Sequence, residues 1–137
     1  MSIRLTSFLL VLLAAGPSAA RAQQSSIVGS WHGTSTCADK VKFPACNDEE
    51  VIYDVTAVGQ DSVNVRADKI VNGQREFMGE FQFGQATDGS WIAEAETPRY
   101  HLRFVITVEG DVMTGRLMRL PDQALSRRMA LRRVGTE

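Results

Sequence analysis

The sequence predicts an all-β fold, an eight-stranded antiparallel up-and-down β-barrel, and three observations carry that expectation. From Ile27 onward apolar residues recur with period two, as strands with one buried face require. Turn signals interrupt the alternation at short intervals: Val58-Gly59-Gln60-Asp61, Asn72-Gly73, Thr87-Asp88-Gly89, Glu109-Gly110-Asp111 and Pro121-Asp122. No stretch sustains a helical period long enough to compete. A sandwich satisfies the same alternation, but the even hairpin spacing shows no long Greek-key crossover. Eight sequential strands can close on themselves, which removes the edges an open sheet has to protect.

The chain has 137 residues, 15 basic against 16 acidic side chains, 44% hydrophobic content and two cysteines. That composition excludes a multidomain enzyme, a disordered tail and a cysteine-dense scaffold. Residues 1–22 read as a cleavable signal peptide: Arg4, an apolar run through Phe8-Leu9-Leu10-Val11-Leu12-Leu13, then Ala20-Arg21-Ala22 as the cleavage site. The run is shorter than the roughly 20 residues of a membrane-spanning helix, and no later run replaces it. The expected product is a single domain, 23–137, periplasmic or secreted, with no integral membrane segment after processing. Cys37 and Cys46 are then expected to bridge in an oxidising compartment, closing a loop that removes about 2.7 kcal/mol of unfolded-state entropy.

Strands are expected at 27–35, 50–58, 62–71, 75–84, 90–97, 99–108, 112–120 and 127–134. A tight Thr97-Pro98 turn sets Trp91 opposite Phe104, Ala93 opposite Leu102 and Ala95 opposite Tyr100. On the other face it pairs Glu94 with His101 and Glu96 with Arg99, which favours the register electrostatically. At Asn72-Gly73 a strict two-residue loop places Asp68 against inward Phe77. A three-residue loop or bulge is therefore expected there, restoring Val63 and Val65 to the face of Phe77, Phe81 and Phe83.

Alternation assigns to the inside Ile27, Gly29, Trp31, Tyr53, Val55, Val63, Val65, Phe77, Phe81, Phe83, Trp91, Tyr100, Leu102, Phe104, Ile106, Met129 and Leu131. Phe43, in the disulfide loop, is the one aromatic after residue 22 left off this face. Large inward side chains alternate with small ones such as Ala67, Gly79, Ala93 and Ala95. Two readings stay open: a solidly packed taper, or a cavity holding one small molecule.

Gly29-Ser30-Trp31 opens the first strand and Met129-Ala130-Leu131-Arg132-Arg133 ends the last. With eight up-and-down strands, this resembles the lipocalin-like (calycin) barrels, in which a G-x-W tryptophan packs under an arginine of the final strand. The resemblance implies structural roles for Gly29, Trp31 and Arg133, with the guanidinium of Arg133 over the Trp31 indole as a cation-π contact of about 0.5–2 kcal/mol. The sequence has no counterpart of the T-D-Y loop motif of lipocalins. The bacterial calycins also include a protease inhibitor that acts through an N-terminal arm, and only Gln23 to Ser26 precede the barrel here.

For catalysis the pattern offers little. His32 and His101 alternate outward, and no nucleophile elbow surrounds the serines near His32. No cofactor and no metal is implied: Asn47-Asp48-Glu49-Glu50 with Asp39 lacks calcium-loop spacing. Residues 23–98 carry 5 basic and 12 acidic side chains and residues 99–137 carry 8 and 4, with Arg116, Arg119, Arg127, Arg128, Arg132 and Arg133 in one stretch. Nucleic-acid binding is not expected, because the aromatics that would stack on bases point inward. The leading expectation is a non-enzymatic barrel binding a small apolar or aromatic ligand through Trp31, Tyr53, Phe81, Phe83, Trp91, Tyr100 and Phe104. The alternative is an interaction module, such as an inhibitor of an exported enzyme, using the Cys37 to Cys46 loop with Phe43 and the arginine stripe.

Overall fold

The computed structural model describes residues 26–135; the signal segment expected at 1–22 lies outside the described residues. Eight strands follow one another: β1 (Gly29–Cys37), β2 (Glu49–Ala57), β3 (Ser62–Val71), β4 (Gln74–Gln85), β5 (Trp91–Glu96), β6 (His101–Glu109), β7 (Val112–Leu120) and β8 (Ala124–Arg133). Each pairs antiparallel with the next, and β8 returns to β1 from Trp31↔Arg133 to Cys37↔Arg127, closing an up-and-down barrel. Among the described residues no helix is long and apolar enough to cross a membrane.

The two ends of the barrel differ. At the end where β1 begins and β8 finishes, Ile27, Trp31, Val55, Val63, Phe83, Trp91, Ile106, Met113 and Leu131 are buried against one another. Each such large apolar side chain contributes about 1.5–3 kcal/mol on burial. The Trp31 indole N–H donates to the Ile27 carbonyl at 2.8 Å, so its polar edge is satisfied inside the core. Arg133 lies over the Trp31 ring, 4.3 Å from the centroid. Its guanidinium also donates to the carbonyls of Val28 (2.8 Å) and Ser26, and to Asp111 at 3.1 Å. Gly29 makes room for this: its φ is +134°, and a Cβ there would stand 2.9 Å from Arg133 Nη1. One side chain thus seals the closed end.

Two hairpins differ from the sequence expectation. Thr97 to Tyr100 form a four-residue connection, in which the Thr97 N–H donates to the Tyr100 carbonyl (2.7 Å) and Thr97 Oγ1 accepts from the Tyr100 N–H (2.9 Å). The register is therefore Trp91↔Ile106, Ala93↔Phe104 and Ala95↔Leu102. A slip of two residues keeps every face where alternation puts it. It does move Tyr100 out of the strand, leaving it exposed rather than inward. Glu94 faces Arg103 and bonds it at 2.6 Å, with His101 on the diagonal at 3.1 Å; Glu96 faces His101, not Arg99.

The second difference is at Asn72-Gly73. Both residues have positive φ (52° and 77°), and Val71↔Gln74 closes a strict two-residue turn. The extra residue sits farther along, between Ala67↔Gly79 and Asp68↔Phe77, so Met78 is the bulge. Beyond it Val65↔Phe81 and Val63↔Phe83 share the inner face. Before it Phe77 turns outward, 56% exposed under the Arg66 guanidinium, which corrects its inward assignment. Asp68, also on the outer wall, is buried beneath Arg66 (3.3 Å) and Arg75 (2.8 Å), which keep its charge paired.

Arg133→Ala is expected to lower stability in urea by about 2–3 kcal/mol, the sum of a cation-π contact and charge-assisted bonds to backbone. Arg133→Lys should recover little of it, because an ammonium cannot lie flat on the indole while bonding three separate acceptors. Equal stability of the lysine variant and the wild type in urea titration would contradict this account of the plug.

Candidate functional site

At the opposite end the interior is open. β4 and β5 pair only at Gly84↔Ile92 and Gln85↔Trp91, so the wall splits toward the end where the two strands turn away. Alanines on β5, Ala93 and Ala95, leave space for Phe81 and Phe83 of β4 to reach Phe104 of β6. The Phe81 and Phe104 centroids are 4.9 Å apart, and Phe83 meets Phe104 edge-on at 6.1 Å. Above this aromatic floor is an inner cavity of about 140 Å³, walled by Tyr53, Ala67, Met78, Phe81, Phe104, Leu117 and Met129 on its larger part and by Ser35, Glu49 and Arg127 on a polar quarter. A mouth pocket of about 410 Å³ shares Leu117 and Arg127 with it and is lined otherwise by Phe43, Pro44, Ala45, Tyr100, Leu102 and Arg119 among others.

The wall of the mouth is held by the disulfide. Cys37 and Cys46 are bonded, closing the loop that carries Phe43 and Pro44. The loop is anchored further: the Cys37 N–H donates to Asp48 (2.8 Å), and Asp39 caps the N–H groups of Val41 (3.0 Å) and Lys42 (2.9 Å). Phe43 is half-buried with Arg119 over its ring at 5.1 Å, so it forms part of the mouth and is not a free projection. Asp122 receives both Arg119 (2.7 Å) and Lys42 (3.3 Å), and the Arg119 guanidinium, ahead of Lys42, holds its carboxyl well below the usual carboxylate range.

The structure divides the seven side chains expected to form a ligand site. Tyr53, Phe81 and Phe104 line the inner cavity and Tyr100 lines the mouth. Trp31, Phe83 and Trp91 are packed in the closed half and line neither space. The interior is thus filled in one half of the barrel and hollow in the other.

Sequence reasoning missed Arg127, Ser35 and Glu49. Arg127 lies in the arginine stretch expected to serve a protein partner, yet its side chain is 16% exposed and points inward. Its Nε donates to Ser35 Oγ at 2.7 Å. Its Nη2 donates to the carbonyls of Ser35 (3.1 Å) and Asn47 (2.6 Å) and to Glu49 Oε2 (3.1 Å), and its Nη1 donates to Cys46 Sγ (3.0 Å). The signal was present: 127 continues the inward series Met129, Leu131, Arg133, and Glu49 continues Tyr53 and Val51. Arg133 leaves the stripe for the same reason. Of the rest, Arg116 and Arg128 face each other on the outer wall. The histidines sit on that wall too, His32 with Glu50 (2.7 Å) and His101 with Glu94.

Comparison with known proteins adds the fold. No family model matches the sequence, and no curated protein does. Solved structures do. A mutant of the fluorescent protein UnaG aligns over 82% of this chain and 99% of its own, with TM-score 0.54 and 9% identity. The siderocalin Ex-FABP, described as functioning through dual ligand specificities, aligns over 82% of this chain and 76% of its own, with TM-score 0.52 and 12% identity. This chain has the calycin-like small-barrel fold. An S-type phycobiliprotein lyase, CPES from Guillardia theta, shares the calycin-like barrel at TM-score 0.50 and 12% identity, covering 83% of this chain and 92% of its own. At these identities the likeness concerns architecture, and the residues of the cup have to be read on their own chemistry.

Tyr53 is the group in the cup whose ionisation is most altered. Burial pushes its phenol from 10.0 up to about 12, against a smaller opposing pull from Arg127 and with Glu49 reinforcing it. A raised folded-state value means stability is intact below the unfolded value, near 10, and declines as pH rises toward about 12, because the unfolded chain ionises first. Alkaline denaturation monitored by near-UV circular dichroism should therefore show a stability loss over that interval, and Tyr53→Phe should flatten it. A slope unchanged by the substitution would remove Tyr53 as its source.

Proposed function

We propose that this chain is an exported, non-catalytic carrier that binds a small apolar or aromatic molecule in the open half of its barrel. The observation that carries the reading is the inner cavity. A cavity walled by Phe81, Phe104, Leu117, Met78 and Met129, about half open to solvent, lies above a core that is otherwise filled. Packed interiors rarely leave such a space, since lining atoms without neighbours forgo dispersion energy. The mouth pocket gives it a route to solvent past Leu117 and Arg127. The Cys37–Cys46 disulfide supports an oxidising compartment, with 1–22 as the export signal and 23–137 as the working domain. The non-catalytic part rests on His32 and His101, which occupy the outer wall hydrogen-bonded to Glu50 and Glu94, away from the cup. The interaction-module alternative loses two of its supports, because Arg127 is spent inside the barrel and Phe43 is held under Arg119.

Filling the cavity tests the carrier reading. Ala67→Leu adds three carbons into a space of about 140 Å³. It should leave thermal stability equal or raise it by up to about 2 kcal/mol. It should also weaken binding of naphthalene-sized aromatic probes by tenfold or more in calorimetric titration. His101→Ala on the outer wall should leave that binding unchanged. Undiminished binding in Ala67→Leu would place the ligand elsewhere.

A further inference from the structure

The polar quarter of the cup decides what kind of ligand end it admits, an inference that deepens the carrier reading and rests on it. An arginine facing a cavity ordinarily invites an anion. Here the guanidinium is already occupied. Of its five N–H groups, one is on Ser35 Oγ, one on Cys46 Sγ, and the two of Nη2 are divided among the carbonyls of Ser35 and Asn47 and the Glu49 carboxylate. A single N–H is left over. Glu49, 27% exposed and 3.1 Å away, supplies the cancelling charge.

Beside this neutral cluster stands Tyr53, more than nine-tenths buried, on the wall of the same cavity. Its hydroxyl has no hydrogen-bond partner among the described residues, and since none of their fully buried side-chain polar atoms lacks one, that hydroxyl is open to solvent in the cavity; Ser35, Glu49 and Arg127 all have partners. It also stays protonated across the ordinary pH range, hence a donor. A ligand carboxylate placed here can accept from Tyr53 and from the one spare N–H, but it meets a second carboxylate in Glu49 and must shed its hydration. A neutral carbonyl, ether or ring nitrogen needs only the donor that Tyr53 holds out.

We propose that the inner cavity selects molecules whose buried end is uncharged and carries a hydrogen-bond acceptor for Tyr53, with an aromatic or apolar body against Phe81, Phe104 and Leu117, and that Glu49 sets this preference by cancelling Arg127. The rim has a different balance. Lys42 and Arg119 share Asp122, which leaves one positive charge unmatched, but all three are well exposed and respond to salt.

The test uses three matched probes on the disulfide-bonded protein: 2-acetonaphthone, 2-naphthoate and naphthalene, titrated calorimetrically at neutral pH in about 0.5 M salt, where the rim charge is screened to within about 5 Å. The ketone should bind about tenfold tighter than the carboxylate. Tyr53→Phe should bring the ketone down to the affinity that naphthalene has in the same variant. Glu49→Gln should reverse the order of ketone and carboxylate, whereas His101→Ala, on the outer wall, should bind all three probes as the wild type does. Carboxylate binding as tight as ketone binding in the wild type, or an order unmoved in Glu49→Gln, overturns the proposal while leaving a ligand-binding cup. If Glu49→Gln does not fold, the wild-type order and Tyr53→Phe decide it. Failure of all three probes to bind overturns the carrier reading, and this inference with it.

Discussion

Closure of β8 onto β1 is the constraint on which the rest of the molecule depends. Once the sheet is a cylinder, the inward half of every strand shares one bounded volume, and a residue's place along the barrel axis decides what it meets. Trp31 and Tyr53 face each other across β1 and β2 at the same register position. Trp31 belongs to the filled half, while the Tyr53 side chain reaches the cup. Without the seam from Trp31↔Arg133 to Cys37↔Arg127, both strands would be edges, and neither arginine would be held over the interior.

The two inward arginines of β8 do opposite work with the same chemistry. Arg133 covers a tryptophan, bonds the carbonyls of the entering chain and shuts one end. Arg127, six residues earlier and therefore on the same face, bonds Ser35, Asn47 and Cys46 and props the disulfide loop at the rim of the other. Planar guanidinium groups suit both tasks, because they bond several acceptors edge-on while their faces stay apolar. The barrel is thus plugged where its hydrophobic content is greatest and held open where its polar residues collect. The split between β4 and β5 adds to the opening: the six-residue β5 pairs with the twelve-residue β4 only at Gly84↔Ile92 and Gln85↔Trp91.

Much of this was legible in the residues. Period-two alternation and turn spacing sufficed for eight strands and their order, and two cysteines leave only one intramolecular pairing. The inner face was assigned well, as Val55, Val63, Val65, Phe83 and Trp91 show, because a register slip of two preserves the sides of a sheet. Phe77 and Tyr100 went wrong for a shared reason. Each lies beside a turn whose length depends on local hydrogen bonding, the Thr97 side chain in one case and the positive-φ Asn72-Gly73 pair in the other, and alternation is blind to where an extra residue will be placed. Arg127 and Glu49 were missed because charge suggested solvent, although their parity pointed inward.

The sequence by itself determined the class of fold, the strand order, the disulfide and the inward or outward parity of side chains away from the Met78 bulge and the Thr97 turn, since all of these follow from local covalent geometry and spacing along one chain. Tertiary structure alone decided that the interior is filled at one end and hollow at the other. It also decided that Arg127 is neutralised by a glutamate 78 positions away and that the Tyr53 hydroxyl is left facing a void. Those outcomes depend on how volumes and charges from distant strands meet at one height in the barrel. That height is set by cumulative register and bulges, and no single segment encodes it.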